Sequence, residues 1–594
     1  MLALVPIASA GPASPPLSAE LIALQPVSLL PATAARAAYK FYDLIEGDIR
    51  AEFTPFAEPA AGLGFRAIVP VRGAKNYDVE AKFTVPVAVN KGDVVLARFM
   101  ARATSARQES GEGAFVIAFG RGVAPHERSV AFTATPGPDW ALFQVPFVVG
   151  QDYAAGEAVV ALALASLVQT IEVSHLEVLN FGNRARLEQL PKLVFTYRGR
   201  EADAPWRAAA LQRIEKIRTA PLAIRVTDSA GQPIAGARVE ARLIQPEFIF
   251  GSSVDDTLLV ANTPDALRYR ATILELFDTV VIENGLKWGA WRNSPDRQAT
   301  AIQALDWIDR QGLRHKGHNL VWPSFKFSPR DLKNLPDPAT ALPKLITDHI
   351  TEIMPVTKGR SYGWDVVNEP LHERDYFDHM PELAMADWFK LAQSLDPDAQ
   401  LFINEYSMLN SALSPGTITR FRALIQRLRL AGAPIGGIGV QGHIGQQPRA
   451  PELVLTDLDL LAGEGLPVQI TEFDVNTKDE QIQADYTRDF LIACYSHPSV
   501  TGFIMWGFWQ PKHWKPDAAM FRKDWSEKPN AAVWRDLVLE KWNTRMDTTT
   551  PSNGAVSVRG HLGRYRVTVT RDGVINSREL ILTHSGADVT VSFP

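Results

Sequence analysis

Beyond Phe248 the chain alternates, eight times over, between a short apolar segment rich in β-branched and aromatic residues and a longer segment with helical spacing. FIFGSS precedes TPDALRYRATILELF, FDTVVIEN precedes DRQATAIQALDWIDRQG, LRHKGHNLVW precedes PKLITDHITEIM, and YGWDVVNE precedes MADWFKLAQSL. AQLFINEY then leads into ITRFRALIQRLRLAG, IGGIGVQGH into PELVLTDLDLLAGEG, PVQITEFDV into QADYTRDFLIACYS, and VTGFIMWGFW into NAAVWRDLVLEKW. Eight such units in about 300 residues have the count and size of a (β/α)8 TIM barrel, an α/β fold. The alternative, an open doubly wound sheet, usually carries a Gly-rich phosphate loop after its first strand, and FIFGSSVDD is not one. The barrel is expected over residues 245–545.

The other residues of the 594 are too many for the same core. Residues 1–37 read as tail, linker or partial export signal: 11–37 are rich in Pro, Ala and Ser without a sustained period. MLALVPIASAG has a short apolar run and an Ala8-Ser9-Ala10 triplet like a cleavage site, without the basic start of a signal peptide. A secreted or periplasmic location is the expectation that follows. Over 38–184 come FRAIVPV, YDVEAKFTVPV, DVVLARFMARA, GAFVIAFG, WALFQVPFVV and TIEVSHLEVLN, separated by Gly, Asp, Asn and Pro, the pattern of a β-sandwich or jelly roll. Residues 185–244 read as linker and a small β-unit, and the C-terminal segment 546–594 is expected to pair with 221–244.

Composition narrows the partner. With 61 basic and 66 acidic residues the net charge is -5, too balanced for a nucleic-acid footprint or an anionic-membrane surface, so a neutral ligand is expected. The single cysteine, Cys494, excludes an internal disulfide and a cysteine metal site. The longest apolar run, EAVVALALASLV at 157–168, falls short of the roughly 20 residues of a membrane span. No metal, no cofactor and a monomeric state are expected.

In a (β/α)8 barrel the chemistry sits at the C-terminal ends of the strands. Here those ends are acidic and aromatic: Glu283 and Asn284, with Lys287 and Trp288, after the second strand; His318 and Trp322 after the third; Asn368 and Glu369 after the fourth; Asn404 and Glu405 after the fifth. Gln441 and His443 follow the sixth, Glu472 and Asp474 the seventh, and Trp506 the eighth, with Trp514 in the loop beyond. Any one of these carboxylates could be a salt-bridged rim residue; seven rims sharing the pattern point to a site. Indole faces pack on sugar rings while amides and acids satisfy hydroxyls, so the ligand expected is a polyhydroxylated neutral one. Cleaving a glycosidic bond needs two carboxylates flanking it, and Glu283, Glu369, Glu405 and Glu472 compete for those roles. Periodicity does not choose among them.

At these residues the chain resembles glycoside hydrolase family 10, the endo-β-1,4-xylanases. The likeness covers roughly 245–545 and rests on ENGLKW at 283–288, GHNLVW at 317–322, WDVVNE at 364–369, GVQGHI at 439–444, ITEFDV at 470–475 and WGFWQPKHW at 506–514. The resemblance implies Glu369 as general acid/base and Glu472 as nucleophile of a retaining glycosidase, with carboxyls about 5 to 5.5 Å apart. It implies Asn368 on the 2-hydroxyl of the sugar bonded to Glu472, His443 on the nucleophile, Asp474 positioning His443, and Gln441 beside the acid/base. Glu283, Asn284, Lys287, His318, Trp322, Trp506 and Trp514 match the family's glycone-binding residues, and Glu405 is read as supporting the site. The partners implied are xylan and xylo-oligosaccharides.

Two departures stand out. Pro323 follows Trp322 where the family commonly has His, and SFKFSPRDLKNLPDP makes a long loop there; the stretch between Trp506 and Trp514 is also unusually bulky. The sandwich resembles the jelly-roll carbohydrate-binding modules found beside such barrels, in DWALFQVPF and VQTIEVSHLEVLNFG, with Trp140 expected to be structural and sugar binding set against a spacer role. Among rivals, a metal-dependent barrel hydrolase would need a first-strand His-X-His that FIFGSSVDD lacks. A retaining glycosidase acting on cellulose or mannan shares the fourth-strand Asn-Glu and seventh-strand Glu. A noncatalytic glycan-binding protein would need neither glutamate.

Overall fold

The computed structural model describes residues 14–32, 38–56, 62–193, 195–411 and 413–593. The apolar start and the Ala8-Ser9-Ala10 triplet, on which the export reading rests, lie outside the described residues.

Two compact units account for the chain, the first built almost wholly from residues before Thr196. It is a sandwich of two antiparallel sheets. One runs Glu52–Pro55, Phe65–Val69, Gln169–Asn180, Val94–Ala106, Ala141–Val148; the other runs Tyr39–Asp43, Val79–Thr84, Ala158–Ala163, Phe115–Arg121, Arg128–Ala134. Alternation puts Phe65, Phe83, Phe99, Phe115, Phe119 and Phe143 into one core between the sheets. Part of the stretch read as linker is structured: Ala19–Ala23 is helical, and Val27–Ser28 adds to the strand Gln169–Asn180. Leu21 of that helix packs with Val94, Leu96, Leu179 and Phe181 on the outward face of the first sheet. Trp140 lies under the Arg102 guanidinium at 4.8 Å, and Arg102 in turn pairs with the buried Glu172.

The second unit carries the barrel. Its eight parallel strands are β1 (Ile249–Val254), β2 (Thr279–Ile282), β3 (Arg314–Val321), β4 (Ser361–Asn368), β5 (Gln400–Glu405), β6 (Gly437–Val440), β7 (Val468–Val475) and β8 (Val500–Met505). Each pairs with the next, and β8 returns to β1, so the sheet closes and leaves no edge. The helices between them start where the sequence supplies a cap: Thr263, Ser294 and Asp337 accept a first-turn backbone N–H, each just ahead of a proline that needs no such partner. Gly312, with φ of 68°, ends the helix Pro295–Gln311 in the left-handed conformation.

The flanking β-segments form a unit with its own core. Thr219–Thr227 runs between Ala555–His561 and Ala587–Ser592, and Arg238–Pro246 between Arg545–Thr549 and Gly563–Arg571. Leu222, Ile224, Val226, Val239, Tyr565, Val567 and Val569 are buried together there. The preceding helix, Pro205–Arg218, ends on the Arg218 guanidinium, which donates to the carbonyls of Tyr495, His497 and Val500 at 2.7 to 2.9 Å. A buried cation there satisfies carbonyls left open at the end of the helix Glu480–Ser496.

Inside the barrel the middle is charged. Lys316 of β3 donates to Asp365 of β4 at 2.6 Å, and His318 Nδ1 lies 2.9 Å from the other oxygen of the same carboxylate. Burial alone would raise the Asp365 pKa, yet Lys316 and His318 hold it below the usual carboxylate value. Between them Gly317 passes the fully buried Trp364 so closely that a Cβ would come within 2.1 Å of the indole. Gly317→Ala is therefore expected to destabilise the barrel by about 2 kcal/mol or more, read as a lowered urea midpoint. An unchanged midpoint would mean that the contact relaxes.

Candidate active site

The strand ends hold the acidic and aromatic residues that the sequence placed there, and strand alternation decides which of them turn inward. On β7, Phe473 packs outward against Phe490, so Glu472 and Asp474 take the opposite face. On β5, Phe402 lies beneath the Lys316 ammonium at 4.3 Å, which puts Asn404 on the inner face as well and turns Glu405 away. Register shifts on both sides of β4 reset its alternation between Asp365 and Val367, so Asp365 and Asn368 both reach inner partners.

Glu369 stands just past β4 with φ of 58°, a left-handed conformation that is unfavourable for a side chain of this kind. It is held there by its own N–H donating to Asn404 O at 2.8 Å and by its carbonyl accepting from the N–H groups of His372 and Glu373. Glu369 is 4% exposed, and its carboxylate accepts from Trp322 Nε1 at 3.0 Å on Oε2 and from Gln441 Nε2 at 2.7 Å and Asn368 Nδ2 at 3.3 Å on Oε1.

Asn404 joins this group to Glu472. Its Nδ2 donates to Asn368 Oδ1 and to Glu472 Oε1, both at 2.8 Å, while its Oδ1 accepts from Thr471 Oγ1 at 2.7 Å. With both protons of one amide given to strands β4 and β7, the Asn368 oxygen is committed and its NH2 faces Glu369. A Cβ on Gly439 of β6 would stand 2.3 Å from Asn404 Oδ1, so the neighbouring strand is glycine where that amide needs room.

His443 sits between two carboxylates. Its Nε2 is 3.3 Å from Glu472 Oε2 and its Nδ1 is 3.1 Å from Asp474 Oδ2, with Asp474 also accepting from Trp514 Nε1 at 2.6 Å. Burial opposes a charge on this imidazole, but Asp474 and then Glu472 outweigh it and raise its pKa to about 10. Asp474 responds in the complementary direction: burial raises its pKa, but His443, with His513 and Trp514, together hold it below the usual carboxylate value.

The second-strand residues form another group. Lys287 donates to Asn284 Oδ1 at 3.2 Å and stands 5.2 Å from the Trp322 ring. Burial lowers the Lys287 pKa against the pull of Glu283, Glu472 and Glu369, and burial raises that of Glu283 against Lys287. His318 meets the edge of Trp506 at 5.0 Å, and Trp506 packs on Ile249, Val281 and Ile504. Trp322 gives one indole face to Phe327, at a centroid distance of 3.7 Å and an angle of 11°.

Sequence reasoning named Asn404 at a strand end without a role, and passed over Thr471, Asp255 and Phe327. Asp255, just past β1, accepts from Lys512 at 2.9 Å and adds its charge beside Glu283. Glu405, fully buried, accepts from Leu371 N, His372 Nδ1 and Tyr406 N at 2.7 to 2.8 Å, so it anchors the turn after Glu369.

Because the folded-state pKa of His443 lies above the 6.5 of an ordinary histidine, its charge stabilises the fold fully below that pH, and the stabilisation is lost as pH rises towards about 10. The urea midpoint of the wild type should therefore exceed that of His443→Gln most near about pH 6, and the gap should close by about pH 10.5. A gap independent of pH would contradict a charged His443.

Residues 241–536 match the family described as Glycosyl hydrolase family 10. Anti-sigma-I factor RsgI6 of Acetivibrio thermocellus is 31% identical over 373 residues, covering 62% of this chain and 47% of its own length. Endo-1,4-beta-xylanase 1 of Arabidopsis thaliana is 28% identical over 381 residues, covering 64% of this chain and 39% of its own. The chain thus spans less than half the length of either relative. The crystal structure of xylanase 10B from Thermotoga petrophila RKU-1 in complex with xylobiose aligns over 50% of this chain and 95% of that one, at 24% identity and a TM-score of 0.45.

Proposed function

Residues 241–536 belong to glycosyl hydrolase family 10, and from that premise we propose that this chain is a retaining endo-β-1,4-xylanase. The observation that carries the reading is the single amide of Asn404 that joins Glu472 directly, and Glu369 through Asn368. Two carboxylates from β4 and β7 are thereby set in one polar site, the arrangement that double displacement requires.

In the first step Glu369, protonated, gives its proton to the glycosidic oxygen as the C1–O bond breaks, and a Glu472 oxygen bonds to C1. In the second, Glu369 takes a proton from water, the water oxygen bonds to C1, and Glu472 leaves as a carboxylate. Asn368 serves the 2-hydroxyl of the sugar held on Glu472, an interaction that strengthens as the ring flattens. His443, charged and seated on Asp474, keeps one Glu472 oxygen in place while Asn404 keeps the other. Gln441 and Trp322 do the same for Glu369. Glu283, Asn284, Lys287, His318, Trp506 and Trp514 line the glycone side, and the substrate is xylan or its oligomers.

One relative is named as an anti-sigma-I factor and not as a xylanase; the second reading for this chain is glycan binding without turnover. A retaining glycosidase for cellulose or mannan would use the same pair of glutamates. Incubating wild type and Glu472→Ala with glucuronoxylan, arabinoxylan, mannan and carboxymethylcellulose separates these readings. Xylo-oligomers are expected from the wild type alone, with turnover of the variant reduced on the order of 10,000-fold. Products from mannan or cellulose instead would change the substrate, and binding without products would favour the second reading.

Azide should partly restore Glu472→Ala and give a product of inverted configuration, since the anion takes the vacant nucleophile's place on one face of the sugar. Glu369→Ala should lose far more activity on poor leaving groups than on activated aryl glycosides, because only the former need the proton. Equal losses on both would remove Glu369 from the acid role.

A further inference from the structure

The loop after β3, where Pro323 replaces the expected histidine, places Phe327 face to face on Trp322. The ring centroids are 3.7 Å apart and the planes 11° from parallel, and Lys326 Nζ stands 4.3 Å from the Phe327 ring. The indole so covered is the one whose N–H donates to Glu369 Oε2 at 3.0 Å. The connection from Phe327 to that carboxylate runs through a packed ring.

The loop is built to hold this ring. Asp375 Oδ2 accepts from Ser324 Oγ and from Phe325 N, each at 2.9 Å. Ser328 Oγ donates to Ser324 O at 2.7 Å and also bonds to the Tyr376 hydroxyl, while Tyr376 N donates to Pro323 O. Asp375 and Tyr376 belong to the short turn Asp375–Asp378 that follows Glu369, so the loops after β3 and β4 are tied to each other. Phe327 therefore has a fixed place relative to both Trp322 and Glu369.

We propose that Phe327 is a positioning residue for Glu369 that acts through Trp322: its ring fixes the plane of the indole, and the indole N–H fixes the carboxyl oxygen. An indole with that face uncovered could tilt and trade its bond to Glu369 for water. A proton donor displaced by a fraction of an ångström still binds substrate but loses rate on bonds that must be protonated to break. This inference rests on the glycosidase reading of the site and assigns Trp322 a role beyond sugar contact.

The test is kcat/KM for wild type, Phe327→Ala, Phe327→Leu and Phe327→Tyr on an unsubstituted xylo-oligomer and on a dinitrophenyl xylobioside, whose leaving group departs without a proton. Phe327→Ala and Phe327→Leu should lose about tenfold on the oligomer and less than about twofold on the aryl glycoside, and Phe327→Tyr, which keeps the flat ring, should recover most of the loss. The leucine variant keeps the apolar volume, so a loss there is not a failure to fold, and near-UV circular dichroism of each variant checks this. Equal losses on both substrates, a loss confined to KM, or no loss would overturn the proposal while an active wild type left the glycosidase reading standing. A wild type inactive on both substrates would overturn that reading and the proposal with it.

Discussion

Asn404 is the side chain on which the site depends. Fully buried, it spends both amide protons and its carbonyl on partners from two other strands, and it does so without a charge. A buried amide with every group satisfied costs little, whereas the same amide left with one unmet partner would carry a desolvation penalty of about 1 to 3 kcal/mol. The network is therefore stable in one arrangement only: if Thr471 accepts no role or Glu472 turns aside, Asn404 and Asn368 lose their partners in sequence. That is how a pair of acids can be kept at fixed places in a barrel mouth before any ligand arrives.

Charge is handled by the same rule, one level down. Lys316, Asp365 and His318 form a buried cluster in the barrel interior, and His443 lies between Asp474 and Glu472 at its mouth. Buried ions are expensive to desolvate, and each cluster offsets that cost by giving a carboxylate more than one partner. The two proposed reacting carboxylates each have partners of their own, Glu472 in His443 and Asn404, Glu369 in Trp322, Gln441 and Asn368. Phe327 extends the principle without charge, since a stacked ring holds the Trp322 donor in the direction that Glu369 requires.

Much of the barrel was legible because its strands are short, apolar and followed by capped helices, and because β-strand alternation has a fixed period. The strand-end positions of Glu369, Glu472, His443 and Asp474 could be read for the same reason. The inward turn of Asn368 alongside Asp365 could not: β4 carries register shifts that reset which residues face the interior, and a shift of one residue exchanges the two faces of a strand. The short helix within 14–32 was equally hidden, since five residues of helix show no period and its Leu21 is explained only by the sheet it covers.

By itself the sequence determined the parallel barrel, the sandwich and the set of polar residues at the strand ends, because periodicity and chain length are local properties that a chain carries into any environment. The tertiary structure alone decided which amide joins the two acids, that Glu405 anchors a turn, and that Trp322 is covered by Phe327. Those outcomes depend on side chains from three or more strands meeting at one depth, and depth is set by strand stagger, bulges and loop packing, none of which is encoded in the spacing of any single segment.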